Sequence, residues 1–293
     1  MAFEHRQSIG LVGIRNAREL GGYPAGDGLS VKKGVFLRTA KLSSGTEEDL
    51  GRLRDVYKLA EIIDLRSADE INGSQENSMY SGSTEPDPDP VIEDVKYINL
   101  PVLDMRKQLE KSAELYASLN MEELKKMDIV QILTLSIDAG IIGDEMYNDF
   151  VFEEAGKKNY SLMFRELLSL DEGRSVLFHC TQGKDRTGIA AMLILSALGV
   201  PEDMIVEDYM LTNEFNSELI EKERMMLEKS GRVPPEKQRS YIMALDGVER
   251  STMTNVIARL KERYGSVINY IVKELGISES ELEQLREKYL TRE

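Results

Sequence analysis

The ten residues His179-Cys180-Thr181-Gln182-Gly183-Lys184-Asp185-Arg186-Thr187-Gly188 gather a thiol, an imidazole, a lysine, a carboxylate, a guanidinium and two hydroxyls into one short stretch. Cys180 is the only cysteine of the chain, and five residues separate it from Arg186. Thr181 to Arg186 contain no proline, so each supplies a backbone N–H that can converge on an anion. Gly183 permits the bend such a loop needs, and Gly188 permits close packing where a helix would begin. A loop of this length encircles one tetrahedral dianion, with Cys180 beneath the central atom and Arg186 folded back to grip two oxygens bidentately. The same donors favour thiolate over thiol, which makes Cys180 a nucleophile at neutral pH. The Thr187 hydroxyl is placed to donate to the sulfur and improve it as a leaving group, while His179 is expected to hydrogen-bond the loop and hold its shape. A lone cysteine is commonly just a small buried hydrophobe; the spacing, the arginine and the flanking segments together argue for chemistry.

Those flanking segments are what position the loop. Val176-Leu177-Phe178 reads as a buried strand and Ile189 to Leu195 as a buried helix, so the loop joins a strand end to a helix N-terminus. Upstream, residues 31–40 read as a short strand bounded by Gly34, Thr46-Glu47-Glu48-Asp49 as a helix start, and Ala60 to Leu65 as a second buried strand. Residues 72–90 are rich in Gly, Ser, Asp and Pro and read as an exposed loop or insertion, followed by a strand over 95–101. Leu109, Leu115 and Leu119 suggest a helix within 106–138, with a second start signal at Asn120-Met121-Glu122-Glu123. These segments, about 105–145, are either a helical lid inserted over the site or ordinary packing helices. One helix over 144–169 precedes the loop strand, and after Pro201 the pattern is helical to the end, with a capping box at Ser278-Glu279-Ser280-Glu281. Strands alternating with helices imply an α/β fold on one sheet.

The net charge of −15 argues against a general nucleic-acid or anionic-membrane binder, although a small electropositive pocket is compatible with it. One cysteine and two histidines, His5 and His179, disfavour a metal cluster, so no metal and no cofactor is expected. No apolar run approaches the length of a membrane span and the first residues do not read as a secretory signal, which favours the cytoplasm.

The Cys-x5-Arg-Thr loop resembles the signature of the cysteine-dependent protein tyrosine phosphatase superfamily, and HCTQGKDRTG resembles its bacterial tyrosine-phosphatase and lipid-phosphatase branch. NARELGGY at 16–23, IIDLRSADE at 62–70 and YGSVINYIVKELGIS at 264–278 extend the resemblance over most of the chain. It implies a phosphotyrosine-phosphatase-like α/β fold: a mostly parallel central sheet flanked by helices, a helical insertion and a helical C-terminal part at about 202–293, all within one phosphatase domain, 1–293. It also implies two-step phosphomonoester hydrolysis without a metal, in which Cys180 attacks phosphorus and water then hydrolyses the phosphocysteine. The substrate class the resemblance implies is phosphotyrosine in proteins, with phosphoserine/threonine and phosphoinositides as further classes. Many superfamily members carry the general acid on a Trp-Pro-Asp loop, but this chain has no Trp. The branch points instead to Asp185, with Asp64 and Asp104 as rivals. Thr181, Gln182, Gly183, Lys184 and Thr187 are then phosphate-binding residues, and Asp64 and Arg66 substrate contacts, unless Arg66 merely pairs with Asp69 or Glu70. Lys184 resembles a lysine of phosphoinositide phosphatase loops and suits a second phosphate. Asn16 and Arg18 are expected to support the loop from outside, as His179 and Gly188 do within it. A catalytically silent phosphate-binding module is the alternative. A thiol redox enzyme or arsenate reductase could use a similar loop but usually needs a second, resolving cysteine.

Overall fold

A computed structural model of the chain describes residues 7–73, 85–117 and 127–292. The elements run β1 (Arg18–Glu19), β2 (Leu29–Val31), β3 (Phe36–Thr39), α1 (Glu47–Asp55), β4 (Leu59–Asp64), α2 (Ala68–Asn72), β5 (Lys96–Asn99), α3 (Met105–Ala117), α4 (Ile129–Asp138), α5 (Asp144–Phe152), α6 (Glu154–Ser169), β6 (Ser175–His179), α7 (Asp185–Ala197), α8 (Glu202–Phe215), α9 (Ser217–Ser230), α10 (Pro235–Leu245), α11 (Arg250–Tyr264), α12 (Val267–Lys273), α13 (Glu279–Tyr289) and β7 (Leu290–Arg292). The start signal at 120–123, Leu119 and most of the polar stretch at 72–90 lie outside the described residues.

The architecture is α/β. The main sheet has the order β1-β3-β6-β4-β5, parallel from β3 to β5 with β1 antiparallel at the edge. β6 is its centre, and all five of its residues are buried, as expected for a parallel strand covered on both faces. Side-chain alternation divides the packing. Phe36, Ile63, Val176 and Phe178 join the large core with α6, α7 and the C-terminal helices, while Leu37, Ile62 and Leu177 face Ile9, Ile14 and Leu53 on the other side. α7 is apolar nearly all round because it is enclosed by α5, α8, α12 and the sheet.

In-register pairing sets Thr39 and Asp64 on either side of His179, so three strands end level, immediately before the loop that starts at Cys180. Ligands of open α/β sheets bind at this carboxyl edge.

Several expected boundaries differ. Residues 31–40 hold the last residue of β2 and the whole of β3, because Gly34 adopts φ +72 and turns the chain between them. The helix expected over 144–169 is two, broken where Glu153 takes an extended conformation. The C-terminal part is not helical to its end: β7 pairs antiparallel with β2 in a second, two-stranded sheet. No described helix is long and apolar enough to cross a membrane.

Candidate active site

Cys180 follows β6 directly and is 1% exposed. Burial by itself pushes its thiol up, but the Arg186 charge and the neighbouring Thr187 hydroxyl and N–H more than offset this, and the net shift is downward, toward thiolate. Asp185, a nearby negative charge, opposes them.

The loop is clamped from outside. Asn16 Nδ2 donates to the carbonyls of Gln182 (3.1 Å) and Gly183 (2.9 Å), and Arg38 Nη2 donates to Gly183 O at 2.9 Å. With these carbonyls tied down, the peptide N–H groups of the loop are free to point the other way. Gly183 has φ +67, and a Cβ there would lie 2.3 Å from the Thr39 carbonyl oxygen. At Gly188 a Cβ would press on the Tyr209 ring at 3.0 Å. Beneath the loop, Arg18 and Arg38 share Asp208, at 3.3 and 2.5 Å, and all three are buried. Burial and the neighbouring Arg38 lower Arg18 to about 10, so it is still a cation at neutral pH.

Arg186 is held end-on by Glu70: Nη1 donates to Oε2 at 2.6 Å and Nη2 to Oε1 at 2.7 Å. Thr181 Oγ1 donates to the same Oε1 at 2.6 Å, and Glu70 Oε2 accepts from the Ser67 N–H at 2.9 Å. Burial would raise Glu70, but the Arg186 charge and these donors hold it down to about 2. Each Nη carries two hydrogens and Glu70 takes one from each; Nη1 also reaches the Leu65 carbonyl at 3.5 Å and Nη2 the Thr181 hydroxyl at 3.4 Å, so Nε–H is the guanidinium donor best placed for an oxyanion, with the two long contacts able to give way. Sequence reasoning named Glu70 only as a possible partner of Arg66; neither that nor the Ser67-x-x-Glu70 capping box points to an arginine 116 positions away.

Lys184 Nζ donates to Asp185 Oδ1 at 3.1 Å and to the Ala244 carbonyl at 2.8 Å. Asp185 opens α7 and also accepts from the Tyr147 hydroxyl. Lys184, Asp185, Tyr147 and Tyr209 line a cavity of about 310 Å³, to which Ile137 and Met243 also contribute. The 139–143 turn after α4 therefore borders the loop, and α4 itself packs on α10.

The remaining candidates sit beside the loop rather than in it. Asp64 is fully buried; it binds Arg66 at 2.8 Å and accepts from Tyr97 at 2.7 Å. Arg66 also meets Asp89 at 3.0 Å, so its partners are Asp64 and Asp89, where sequence reasoning had named Asp69 or Glu70. His179 Nδ1 is 3.2 Å from the Cys180 carbonyl, and Nε2 is 2.8 Å from Asp89. Burial disfavours the imidazolium, but Asp64 and Asp89 outweigh it and raise His179. Asp64, Asp89 and His179 could together hold a metal ion by spacing alone, but the Arg66 guanidinium already stands between the two carboxylates as their cation. Asp104 is partly exposed and pairs with Arg106.

A buried thiol shifted toward thiolate at the end of a central strand, opening the loop that leads into α7 and accompanied by an anchored arginine, suits phosphate-ester chemistry. The pattern that defines the tyrosine phosphatase family matches residues 9–291, and the chain belongs to that family. Among its relatives, a protein of Cupriavidus necator whose name places it with the tyrosine-protein phosphatases is 27% identical over 286 residues, covering 97% of this chain and 89% of its own. A tyrosine-protein phosphatase of Nostoc commune is 27% identical over 270 residues, 90% of this chain and 76% of its own. The triple specificity protein phosphatase PtpB of Mycobacterium tuberculosis is 32% identical over 131 residues, 42% of this chain and 47% of its own.

Proposed function

We propose that the protein hydrolyses phosphomonoesters through a phosphocysteine on Cys180, with phosphotyrosine in proteins as its main substrate and phosphoserine/threonine and phosphoinositides as further ones. The observation that carries this reading is the downward shift of a buried thiol by the arginine and threonine that follow it in the same loop. Cys180 Sγ attacks phosphorus as the bond to the leaving oxygen breaks, and Asp185 gives that oxygen a proton. Loop amides from Thr181 to Arg186 and the guanidinium of Arg186 stabilise the equatorial oxygens, which is where most of the catalysis of such transfers lies. Water, deprotonated by Asp185, then attacks the phosphocysteine and Thr187 eases departure of the sulfur. Lys184, beside the cavity, adds charge for a second phosphate. The name of PtpB ascribes triple specificity to that relative, and this supports the wider substrate range here. One core takes side chains from Leu20 to Tyr289, in keeping with a single phosphatase domain.

The test is a chelator-treated panel of phosphopeptides and phosphoinositides assayed on wild type and Cys180→Ser. Wild type is expected to release phosphate from phosphotyrosine peptides, and Cys180→Ser to bind them without turnover. Appreciable turnover by the serine variant overturns the covalent route. Binding without release by wild type would make the protein a phosphate-binding module instead.

A further inference from the structure

Two buried tyrosines stand behind the catalytic loop with no part in the chemistry above. Tyr147 on α5 is 3% exposed and Tyr209 on α8 is 1% exposed. Their hydroxyl oxygens are 2.6 Å apart, and Tyr147 donates to Asp185 Oδ1. A phenol has one proton to give. That of Tyr147 goes to the carboxylate, so the proton between the tyrosines belongs to Tyr209, and donation runs from Tyr209 to Tyr147 to Asp185. Burial, with the Asp185 charge behind it, raises both phenols well above their ordinary value, and the chain keeps its protons at any working pH.

We propose that Tyr147, oriented by Tyr209, is a positioning residue that fixes Asp185 by one carboxylate oxygen and so reserves the other for proton transfer to the leaving group. The inference rests on the reading of Asp185 as the general acid. Lys184 Nζ reaches the same Oδ1, so both side-chain donors among the described residues fall on one oxygen. A proton on Oδ1 would have to displace them; on Oδ2 it meets neither. As the S–P bond forms and the P–O bond breaks, the Oδ2 proton passes to the departing oxygen. Tyr147 and Lys184 then stabilise the carboxylate that remains. The tyrosine ring is wedged between Phe150 and Tyr209, at centroid distances of 5.5 and 6.4 Å, which fixes the hydroxyl in place.

The test uses kcat/KM for aryl phosphates whose leaving groups range from p-nitrophenol, which departs readily, to phenol, which needs a proton. Tyr147→Phe keeps the ring. It is expected to lower kcat/KM about tenfold for phenyl phosphate and less than about twofold for p-nitrophenyl phosphate, a fraction of what a general acid contributes. Tyr209→Phe is expected to act in the same sense but more weakly. Asp185→Asn should steepen the leaving-group dependence further, and adding Tyr147→Phe to it should change nothing more. If Asp185→Asn steepens the dependence while Tyr147→Phe keeps the wild-type slope, the positioning role is overturned and the acid stands. If Asp185→Asn keeps the wild-type slope, the acid itself is misassigned and the inference falls with it. An equal loss on every substrate in Tyr147→Phe would mark the tyrosine as structural and also overturn the proposal. Should Tyr147→Phe not fold, the same split measured in Tyr209→Phe decides.

Discussion

Glu70 shows how much of this site depends on a residue outside the loop itself. Without its carboxylate, Arg186 would be a buried cation free to swing away from the sulfur. The sign of the linkage follows from Glu70 being held at about 2 against an ordinary 4.5. Its contribution to stability is complete above about pH 5 and is lost as the pH falls toward 2, when the folded protein must also take up the proton. The expected size is on the order of 3 kcal/mol. In urea unfolding, Glu70→Gln should therefore be clearly less stable than wild type at pH 7, and the gap should narrow sharply by pH 3. A gap independent of pH would mean that the pair is not what the carboxylate contributes. At this scale the sequence was most legible where partners are neighbours in the chain. Cys180, Thr187, Lys184 and Asp185 could be read together because one strand, loop and helix carry them. Glu70, Tyr147 and Tyr209 reach the loop from other elements, Asp208 acts on it through Arg38, and nothing in their local patterns points there.

At the scale of elements, the loop is shaped by what β3 presents to it. Gly183 combines a left-handed backbone with an approach to Thr39 O that leaves no room for a methyl group, whereas Gly173, at φ +76, has open space around it. Gly173→Ala should cost only the backbone strain, about 1 kcal/mol, and leave kinetics untouched. Gly183→Ala should lower the melting temperature further and reduce kcat/KM for p-nitrophenyl phosphate by at least about tenfold, since the peptide planes that face the phosphate must rotate. Equal kinetics in the two variants would show that the close approach does not shape the site. The strand and helix on either side of the loop were legible because both are continuous apolar runs. The break at Glu153 was not, because the apolar periodicity of α5 carries on into α6 and only the backbone at that residue departs from helix.

At the scale of the whole molecule, the chain closes on itself near its C-terminal end. Tyr289 stacks edge-on against Phe36 of β3, with centroids 4.7 Å apart, and its hydroxyl donates to the Leu167 carbonyl of α6. The β7 residues that follow lie along β2. A helix expected to run to the end gave no hint of this, because three residues paired with a distant strand are too few to show alternation. Tyr289→Ala is expected to cost about 3–5 kcal/mol in unfolding free energy while leaving KM for small aryl phosphates unchanged, because the ring buttresses the sheet far from its carboxyl edge. A rise in KM with no loss of stability would contradict that assignment.

The solitary Cys180 has a consequence outside hydrolysis. The shift toward thiolate that suits the sulfur to the proposed attack on phosphorus also makes it reactive toward peroxide, and the first oxidation product is a sulfenic acid. With no second thiol in the sequence to trap that species as an internal disulfide, a neighbouring backbone nitrogen can at most hold it as a sulfenamide, and reduction back to the thiol falls to an external thiol. The enzyme's endurance under oxidative stress is thus set by the thiol supply of its surroundings.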